Sequence, residues 1–499
     1  MKPIIQVDNV KCKITGINAE ISRVLSKDLS VQVPNYWFSS SFKSGRWDGY
    51  FKFFLRPSNT FPTGLLPRVV RILKNEFNVV PEVIDNRNDV NKYLLKKVMD
   101  DYKISDTKTA RDYQVETVNK LIDNNVLGIS FPRGIVNLAT GAGKTSIAIM
   151  AIKELYPKLV KNKTNFLFVT HSKEIANQAK KSIEEDAGIE VGFIGDGKWE
   201  LKPVTVAIVT TLYRRMGKPE FKELTKKVIG FVADECHHSS STSWYDVFSH
   251  LSNALIRIGL TGTVDKSKPV EEMKLYACTG EIIKKVSNDY LINQGFSAKP
   301  VCIWFKITEP NLTKKEYHEA YELGIVKSKE RLKAIKSICE KETKDKKVVL
   351  ILVEHVEHGQ LIESALSKLK ATVVFTHGAL PSERREQILA DLKAGSIDVL
   401  ISTSILDEGV DVAGINAVIY ARGMKSTRKL LQGLGRGIRK KKDGSELRYY
   451  DFIDATNEKL LLHSKSRLEV LENEKFLNKL LTLEQYISAT WEEVRKPIK

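Results

Sequence analysis

Residues 136–146 read VNLATGAGKTS: a short apolar segment, then a glycine-containing loop, then a stretch able to form a helix. Glycines allow backbone N–H groups to close around phosphate oxygens, and the positive end of the following helix faces the same place. The arrangement predicts that Lys144 reaches the β- and γ-phosphates of a nucleoside triphosphate and that Thr145 binds Mg²⁺ through its hydroxyl. The strict motif has glycine at position 138, where this chain has leucine, so the stretch alone could be a chance GKT in an ordinary loop. The residues expected to surround the nucleotide here are Thr140, Gly141, Ala142, Gly143, Lys144 and Thr145.

A second segment supplies the acids that such a site needs. Residues 228–233 are apolar and lead directly into Asp234 and Glu235. A buried strand ending in two acids places Asp234 on the magnesium side and Glu235 where it can orient and deprotonate an attacking water. Two alternatives are a strand that merely ends in solvated acids and a metal site at the Cys-His-His of 236–238. Adjacent residues at a strand end point in different directions, which disfavours the metal site. Each segment supplies what the other lacks, so together they predict triphosphate hydrolysis.

The pattern around these segments indicates the fold. From Arg111 onward, helix-forming stretches alternate with apolar strands such as 166–169, and the alternation resumes at 348–353. Such alternation is typical of parallel sheets covered by helices. We expect an α/β protein with two parallel-sheet domains, a small α/β amino-terminal accessory domain and a helical carboxyl-terminal tail, with the charged stretch 299–344 separating the sheets. The expected domains are 1–105 (accessory domain and linker), 106–297, 298–455 and 456–499 (the tail).

The first hundred residues differ from the rest. Nine aromatic residues lie between positions 36 and 54, interleaved with Lys43, Arg46 and Lys52. Aromatic rings among cations suit a nucleic-acid surface, and Arg46 and Trp47 are the residues expected to contact the nucleic acid. The alternative is that the rings form the core of the small domain while the cations are its solvated face. Both can hold, because a strand can bury one face and present the other.

The charge of the chain favours a polyanionic partner. Its 499 residues include 79 Lys and Arg against 61 Asp and Glu, a formal charge of +18. Such an excess promotes phosphate contact and counterion release, although a basic surface kept for solubility is the alternative. The cysteines are scattered and include no C-x-x-C pair, which argues against a disulfide framework and a structural zinc site. The five positions are Cys12, Cys236, Cys278, Cys302 and Cys339.

The sequence also indicates where the protein acts. The amino terminus lacks the apolar stretch of a signal peptide, and no run reaches the length of a membrane span. We therefore expect a soluble protein of a reducing compartment, either the bacterial cytoplasm or the cytoplasm of an infected host, with no membrane partner.

The Asp-Glu-Cys-His of 234–237, taken with the motifs around it, resembles the superfamily 2 helicases and translocases. The resemblance implies two RecA-like domains, ATP with Mg²⁺ as cofactors and nucleic acid as the track. RDYQ at 111–114 is similar to the motif whose glutamine pairs with the adenine edge, which assigns Arg111, Tyr113 and Gln114 to the nucleotide. LTGT at 260–263 is similar to the motif that couples hydrolysis to domain movement. The coupling residues implied are His237, Thr261, Gly262 and Thr263.

Further motifs extend the resemblance as far as residue 439. Segments 166–178, 206–212, 348–355 and 399–411 are similar to strand-end motifs, and a hydroxyl or backbone N–H at a strand end suits a phosphate. The implied DNA contacts are His171, Gln178, Thr210, Thr211, His355 and Thr403. QGLGRGIR at 432–439 resembles the motif that supplies arginine fingers to the γ-phosphate, although its second residue is glycine where arginine is usual. The implied residues here and in the preceding motif are Gly409, Asp411, Gln432, Arg436 and Arg439. On its own, the arginine pair would be a solvated basic helix.

A narrower resemblance concerns the amino terminus. SFKSGRWDG at 41–49 and FPTGLL at 61–66 are similar to the small accessory domain of phage helicases of the UvsW type. This implies action on branched DNA such as forks, Holliday junctions and R-loops with their RNA–DNA hybrids, in replication, recombination and repair, by a protein that is favoured to be a monomer.

Three alternatives remain at this point. An RNA helicase is one, because backbone contacts barely distinguish the two polymers. The DNA-translocating motor subunit of a restriction or repair complex is another, because it would share every motor motif. A passive binding protein with a degenerate nucleotide site is disfavoured by the joint presence of Lys144, Asp234, Glu235 and Arg439.

Overall fold

The computed structural model describes residues 2–87, 90–139, 141–236, 242–262, 268–298, 300–403, 414–425 and 446–496. The chain divides into two compact units. The first comprises Met1–Leu138 and Gly143–Val286, and the second comprises Ser287–Lys499 together with Ala139–Ala142.

The amino-terminal region folds around a small mixed sheet. Its elements are β1 (Ile4–Val7), β2 (Lys11–Thr15), α1 (Ala19–Asp28), β3 (Ser30–Gln32), α2 (Ser40–Lys43), β4 (Tyr50–Lys52), β5 (Thr60–Pro62), α3 (Leu66–Phe77) and β6 (Glu82–Asp85), with 3₁₀ turns at Tyr36–Phe38 and Thr63–Leu65. Four strands pair in the order β5-β2-β1-β6, and β3 pairs with β4 as a separate antiparallel hairpin. Buried and solvated side chains alternate along β2, so one face of the sheet packs on the helices.

A short connection and the first large sheet follow. The elements are α4 (Val90–Tyr93), β7 (Lys103–Ser105), β8 (Lys108–Thr109), α5 (Asp112–Asp123), β9 (Asn125–Val126), β10 (Ile129–Ser130), β11 (Arg133–Leu138), α6 (Lys144–Asn162), β12 (Asn165–Thr170), α7 (Lys173–Ala187), β13 (Val191–Gly195), β14 (Lys198–Glu200), β15 (Val204–Ile208), α8 (Val209–Arg215), α9 (Pro219–Lys227), β16 (Val228–Ala233), α10 (Thr242–His250), β17 (Ile256–Thr261), α11 (Pro269–Thr279) and β18 (Ile282–Val286). Within the described residues the strand order is β14-β13-β15-β12-β16-β17-β11-β18, parallel except for the β13–β14 pair. The central strands β12, β16 and β17 are buried along their whole length, as expected for a parallel sheet covered on both faces.

The amino-terminal region and the first large sheet share one core. Buried residues of the amino-terminal region, such as Phe61 and Leu65, belong to the same apolar cluster as Phe131 and Met273 of the larger fold. A Cβ on Gly64 would lie 2.1 Å from the backbone oxygen of Tyr276, so the two backbones approach as closely as glycine permits. The sequence predicted an accessory domain and linker at 1–105. The α/β fold of that region is present, and the region packs within the first compact unit.

The second unit is built on another parallel sheet. Its elements are α12 (Asn288–Asn293), β19 (Pro300–Ile307), α13 (Tyr317–Tyr321) with a π-helical turn at Glu322–Val326, α14 (Lys329–Lys344), β20 (Val349–Leu352), α15 (Val356–Leu366), β21 (Val373–Thr376), α16 (Ser382–Lys393), β22 (Val399–Ser402), β23 (Ala417–Tyr420), β24 (Leu447–Asp454), α17 (Glu458–Asn473), β25 (Leu477–Leu481), α18 (Leu483–Ser488) and α19 (Trp491–Arg495). Among the described residues the order is β21-β22-β20-β23-β24-β19-β25, with every neighbouring pair parallel.

Two expectations about this unit need correction. The stretch 299–344 does not merely separate the sheets, because β19 is a nearly fully buried strand between β24 and β25. The carboxyl-terminal tail is not wholly helical, because β25 pairs with β19 in parallel. Leucines at 477, 480 and 481 fit an apolar helix face as well as a strand. The segment forms a strand because the open edge of β19 offers backbone hydrogen-bond partners.

Candidate nucleotide-binding site

Three of the predicted segments leave the first large sheet at one edge. In the parallel register, Asn137 of β11 lies beside Thr261 of β17, and Ala233 of β16 lies beside Gly259 of β17. Neighbouring parallel strands therefore end together, and their carboxyl ends release the glycine loop, the acids and the Thr-Gly of β17 at the same place. Ligands of open α/β sheets bind at this edge.

The loop between β11 and α6 has the backbone that a phosphate cradle requires. Gly141 and Gly143 have φ angles of 84° and 76°, in the left-handed region that favours glycine. Gly143 is the residue before the first turn of α6, whose N–H groups point into the loop. A Cβ on Gly143 would lie 2.4 Å from Nε2 of Gln114, so this glycine is also needed for space. Thr140 lies outside the described residues.

Gln114 is held beside this loop by its own helix. Its side chain is 3% exposed, and its Oε1 accepts a hydrogen bond of 2.9 Å from the backbone N of Arg111. Arg111 in turn donates from Nη1 to the hydroxyl of Tyr113 at 2.9 Å. The three residues predicted to bind the nucleotide therefore form one connected group at the start of α5. Gln114, the residue predicted to contact adenine, links that group to Gly143.

Lys144 and the two acids meet at the start of α6. Lys144 Nζ forms an ion pair with Oε1 of Glu235, and both side chains are largely buried. Burial alone would lower the pKa of Lys144, but Glu235 and Asp234 more than offset it, so the pKa lies above its ordinary value. Burial raises the pKa of Asp234 to about 6, with Lys144 opposing that shift and Glu235 adding to it. The sequence assigned Lys144 and Glu235 to different steps, and their direct contact is a finding of the structure.

Glu235 sits in an unusual backbone conformation. Its φ angle is 48°, in the left-handed region that residues other than glycine rarely adopt. Non-glycine residues held there cost on the order of 1 kcal/mol or more, and they concentrate at functional sites. The preceding residue is fixed by the sheet, because Asp234 N donates to the backbone oxygen of Val169 at 2.9 Å. The chain therefore turns sharply at Glu235 and directs its carboxylate toward Lys144.

The donor set suits Mg²⁺ together with a phosphate. Thr145 contributes a hydroxyl in the first turn of α6, and Asp234 contributes a carboxylate at the end of β16. Mg²⁺ is characteristically bound by one or two protein oxygens plus substrate phosphates and water. Within the described part of the chain, no group of three or more His, Cys, Asp or Glu is placed to hold a metal ion.

The predicted nucleic-acid contacts of the first unit follow strand ends at the same edge. His171 follows β12 and is half-buried, and Gln178 is exposed on α7. Thr210 and Thr211 lie in the first turn of α8, directly after β15, where Thr210 is exposed and Thr211 half-buried. The sheet therefore places these side chains near the edge that carries the nucleotide site.

In the second unit, the two predicted contacts differ in exposure. His355 is exposed at the start of α15, with its ring 5.4 Å from the Tyr321 ring in an edge-to-face arrangement. Thr403 follows β22 and is 6% exposed, so it offers little surface to a ligand. Leu352 at the end of β20 lies beside Ser402 at the end of β22. His355 and Thr403, which follow these two strands, therefore lie at one edge of the second sheet.

Several predicted residues lie outside the part of the chain that the structure describes. Thr261 is buried at the end of β17, and Gly262 is the last residue described there. The predicted residues outside the described ranges are Thr140, His237, Thr263, Gly409, Asp411, Gln432, Arg436 and Arg439.

The amino-terminal aromatic residues divide between the core and the surface. Phe53 and Phe54 are buried in the core, whereas Arg46 is exposed and Trp47 half-buried. Sequence reasoning singled out Trp47 and missed Trp37 and Phe38, which are the most exposed rings of the segment. The available signal was their position directly after Pro34 and Asn35, two residue types that are common in turns.

None of the described helices combines the length and apolar character needed to cross a bilayer.

Comparisons with known proteins identify two matching families and several relatives. Residues 107–266 match the family described as type III restriction enzyme, res subunit, and residues 330–441 match the helicase conserved C-terminal domain. The chain is 27% identical over 405 residues to DNA 3'-5' translocase XPB2 of Sulfurisphaera tokodaii, covering 71% of this chain and 86% of that protein. It is 25% identical over 482 residues to ATP-dependent DNA helicase uvsW of Enterobacteria phage T4, covering 90% and 92%.

The solved structures add the fold. The structure of S. cerevisiae Dbp5 bound to RNA and ADP BeF3 is similar with a TM-score of 0.54 at 15% identity, covering 76% of this chain and 90% of that chain. The predicted pair of RecA-like parallel sheets is thereby confirmed.

Proposed function

We propose that the chain uses ATP hydrolysis to move along DNA and to remodel branched structures such as forks, Holliday junctions and R-loops. The basis is that the chain is a superfamily 2 helicase similar to UvsW. The observation that carries the proposal is the cluster of Lys144, Asp234 and Glu235 at the sheet edge beside the glycine loop. DNA is the proposed track because XPB2 and UvsW are named as a DNA translocase and a DNA helicase. We propose that the protein acts as a monomer in the cytoplasm of a bacterium or an infected host, in replication, recombination and repair.

The Lys144–Glu235 contact defines how the site responds to ATP. Each charge already has its partner, so neither is left uncompensated in the largely buried site. A triphosphate is a stronger anionic partner for Lys144 than one carboxylate is. When Lys144 turns to the phosphates, Glu235 loses its cation and can accept a proton from water. The base is therefore set free only when the triphosphate is in place, which favours hydrolysis of bound ATP.

Two residues are proposed to hold the metal ion. Thr145 and Asp234 would hold Mg²⁺, which when bound neutralises phosphate charge and aligns the β- and γ-phosphates. Asp234 binds a cation only as the carboxylate, and Lys144 beside it favours that form. Gln114, braced by Arg111, would hold the adenine edge.

The remaining nucleotide contacts are proposed from the sequence motifs. Arg436 and Arg439 would stabilise the negative charge that develops at the γ-phosphate, with Gln432 close by. Gly409 and Asp411 would contact the nucleotide, and the coupling residues would link its hydrolysis to domain movement. These coupling residues are His237, Thr261, Gly262 and Thr263.

The DNA is proposed to run along the strand ends. Hydroxyl, amide and imidazole groups at these ends can bind backbone phosphates without reading sequence. Thr403 would have to become more exposed to do so, because it is 6% exposed in this structure. The net charge of +18 supplies the long-range attraction. The proposed contacts are His171, Gln178, Thr210, Thr211, His355, Thr403, Arg46 and Trp47.

ATP hydrolysis with and without DNA tests the motor. Lys144→Ala and Glu235→Gln should each reduce DNA-stimulated turnover by about 100-fold or more, because one removes the phosphate contact and the other the base. Lys161→Ala, at the exposed far end of the same helix, is the matched control and should retain wild-type turnover. A wild-type protein that never hydrolyses ATP in the presence of DNA would refute the proposal.

The substrate requires a second experiment. Wild-type protein is given a four-way junction, a fork, an RNA–DNA hybrid and an RNA duplex, each with ATP. Unwinding or branch migration of the DNA structures supports the proposal. Activity on the RNA duplex alone would instead identify an RNA helicase, and ATP-driven movement on linear duplex without any strand separation would identify a translocating motor of a larger complex.

A further inference from the structure

Residues 35–50 form a turn, here called the aromatic turn, that exposes two large rings. Phe38 is 71% exposed and Trp37 is 50% exposed, with their ring centroids 5.9 Å apart. Burial of an aromatic ring is among the largest favourable contributions to folding and binding, so a stable fold seldom leaves two adjacent rings in water. The pair therefore indicates a partner that covers it.

The turn is built to hold these rings in place. Asn35 and Gly49 have φ angles of 58° and 83°, values suited to these residue types. A Cβ on Gly49 would lie 2.6 Å from the Tyr36 ring, so Tyr36 lies directly on the glycine backbone. Tyr36 also packs edge-to-face on Phe42 at 4.6 Å and on Trp37 at 5.3 Å. Rings that are already positioned lose little conformational entropy when they bind.

Trp47 closes the turn instead of projecting from it. Its indole Nε1 donates to the backbone oxygen of Tyr50 at 2.9 Å, and Asp48 Oδ1 accepts from the Tyr50 backbone N at 3.2 Å. The indole donor of Trp47 is therefore used within the turn.

The charge around the rings favours an anionic partner. Residues 35–56 contain four cations and one acid, Asp48. Lys52 pairs with Asp48 at 2.5 Å, which leaves the exposed cations Lys43, Arg46 and Arg56 in excess. Aromatic faces bordered by cations match a chain that carries flat bases and phosphates together.

The strand that follows the turn anchors it to the first large fold. Phe51 and Phe53 lie edge-to-face on Tyr245 of α10, at 6.4 and 6.5 Å. Lys274 of α11 lies over the Phe51 ring at 4.9 Å. The turn is thus attached to the fold that carries the nucleotide site, and both belong to the first compact unit.

We propose that Trp37 and Phe38 stack on unpaired bases of branched DNA while Lys43 and Arg46 hold the flanking phosphates. This inference rests on the proposed function and deepens it, because it names the part of the substrate that the amino-terminal region binds. Stacking is sequence-tolerant, since every base has a π-face, but bases inside a duplex are already stacked. The aromatic turn therefore favours forks and junctions with unpaired nucleotides over continuous duplex.

Binding of a labelled fork with single-stranded arms, compared with a fully paired duplex of equal length, tests the proposal by fluorescence anisotropy. A base–aromatic stack is worth about 1–3 kcal/mol, so Trp37→Ala combined with Phe38→Ala should weaken fork binding by about fivefold or more. Duplex binding and ATP hydrolysis without DNA should stay within about twofold of wild type. Met99→Ala, at a side chain 73% exposed in the same unit, is the control and should change neither.

A second variant separates stacking from structure. Trp37→Phe with Phe38→Tyr keeps a π-face at both positions and should retain fork binding within about twofold. Equal fork affinity for the double-alanine variant and the wild type would overturn the proposal. Trp37 and Phe38 would then be a binding surface for another partner. Equal losses on fork and duplex would also overturn it. If instead the wild type hydrolyses no ATP with any DNA, the proposed function itself fails.

Discussion

Gly143→Ala is a direct test of the link between the proposed adenine contact of Gln114 and the phosphate loop. An alanine Cβ would lie 2.4 Å from Gln114 Nε2, and Cβ contacts under 3.0 Å are essentially never seen, so the amide must move by about half an ångström or more. Gln114 is almost fully buried and tied to Arg111, so that movement breaks the alignment of its amide with the base. Two hydrogen bonds to adenine are worth about 1–3 kcal/mol together, which corresponds to about 5- to 150-fold in ATP affinity.

The measurement is the ratio of kcat/KM for ATP over GTP. Damage to the phosphate loop affects both nucleotides and cancels in this ratio, whereas loss of the adenine contact affects ATP alone. Gly143→Ala should therefore move the ratio toward that of Gln114→Ala. Gly188→Ala is the matched control, because its φ of 66° imposes a similar backbone strain of about 1–2 kcal/mol with no atom within 4 Å of the new Cβ. A Gly143→Ala protein with the wild-type ratio would refute this account of Gln114.

Three further predictions concern buried ionisable side chains. Lys144→Met and Glu235→Gln should each destabilise the nucleotide-free protein, while the double variant should lose less than their sum, because neither charge is then left alone; chemical unfolding of all four proteins measures this. Asp451→Asn should lower stability by about 3–5 kcal/mol, because Arg467 is fully buried and bonded to both carboxylate oxygens, and additive losses in Asp451→Asn with Arg467→Met would contradict this. Burial lowers the pKa of His358 from 6.5 to about 3, so the stability that its neutral form provides is full above pH 6.5 and is lost as the pH falls toward 3. His358→Leu should flatten that decline in stability. An unchanged pH profile of unfolding would contradict the prediction.

The sequence was sufficient to predict that Lys144, Asp234 and Glu235 come together at one edge of the sheet. Lys144, Asp234 and Glu235 follow apolar strands, and strand ends of a parallel sheet meet at one edge whatever their separation along the chain. The contact of Lys144 with Glu235 was not predictable, because it depends on the left-handed turn at Glu235, a conformation that glutamate rarely prefers.

Other features depended on long-range packing that local patterns do not contain. The leucines of 477–481 fit a helix or a strand equally well, and the edge of β19 decides. Trp37 and Phe38 are as apolar as Phe53 and Phe54, yet the first pair is exposed and the second buried. The difference arises from the hairpin and its contact with Tyr245, which lies nearly two hundred positions further along the chain.

The apolar cluster common to the small amino-terminal sheet and the larger fold limits how the protein can be divided. A version trimmed to begin near residue 106 would expose the side chain of Met273 and the ring of Phe131 to water. Such a fragment would tend to aggregate, and its inactivity would say nothing about DNA. Point substitutions on the surface are therefore the sound way to ask what the first hundred residues do.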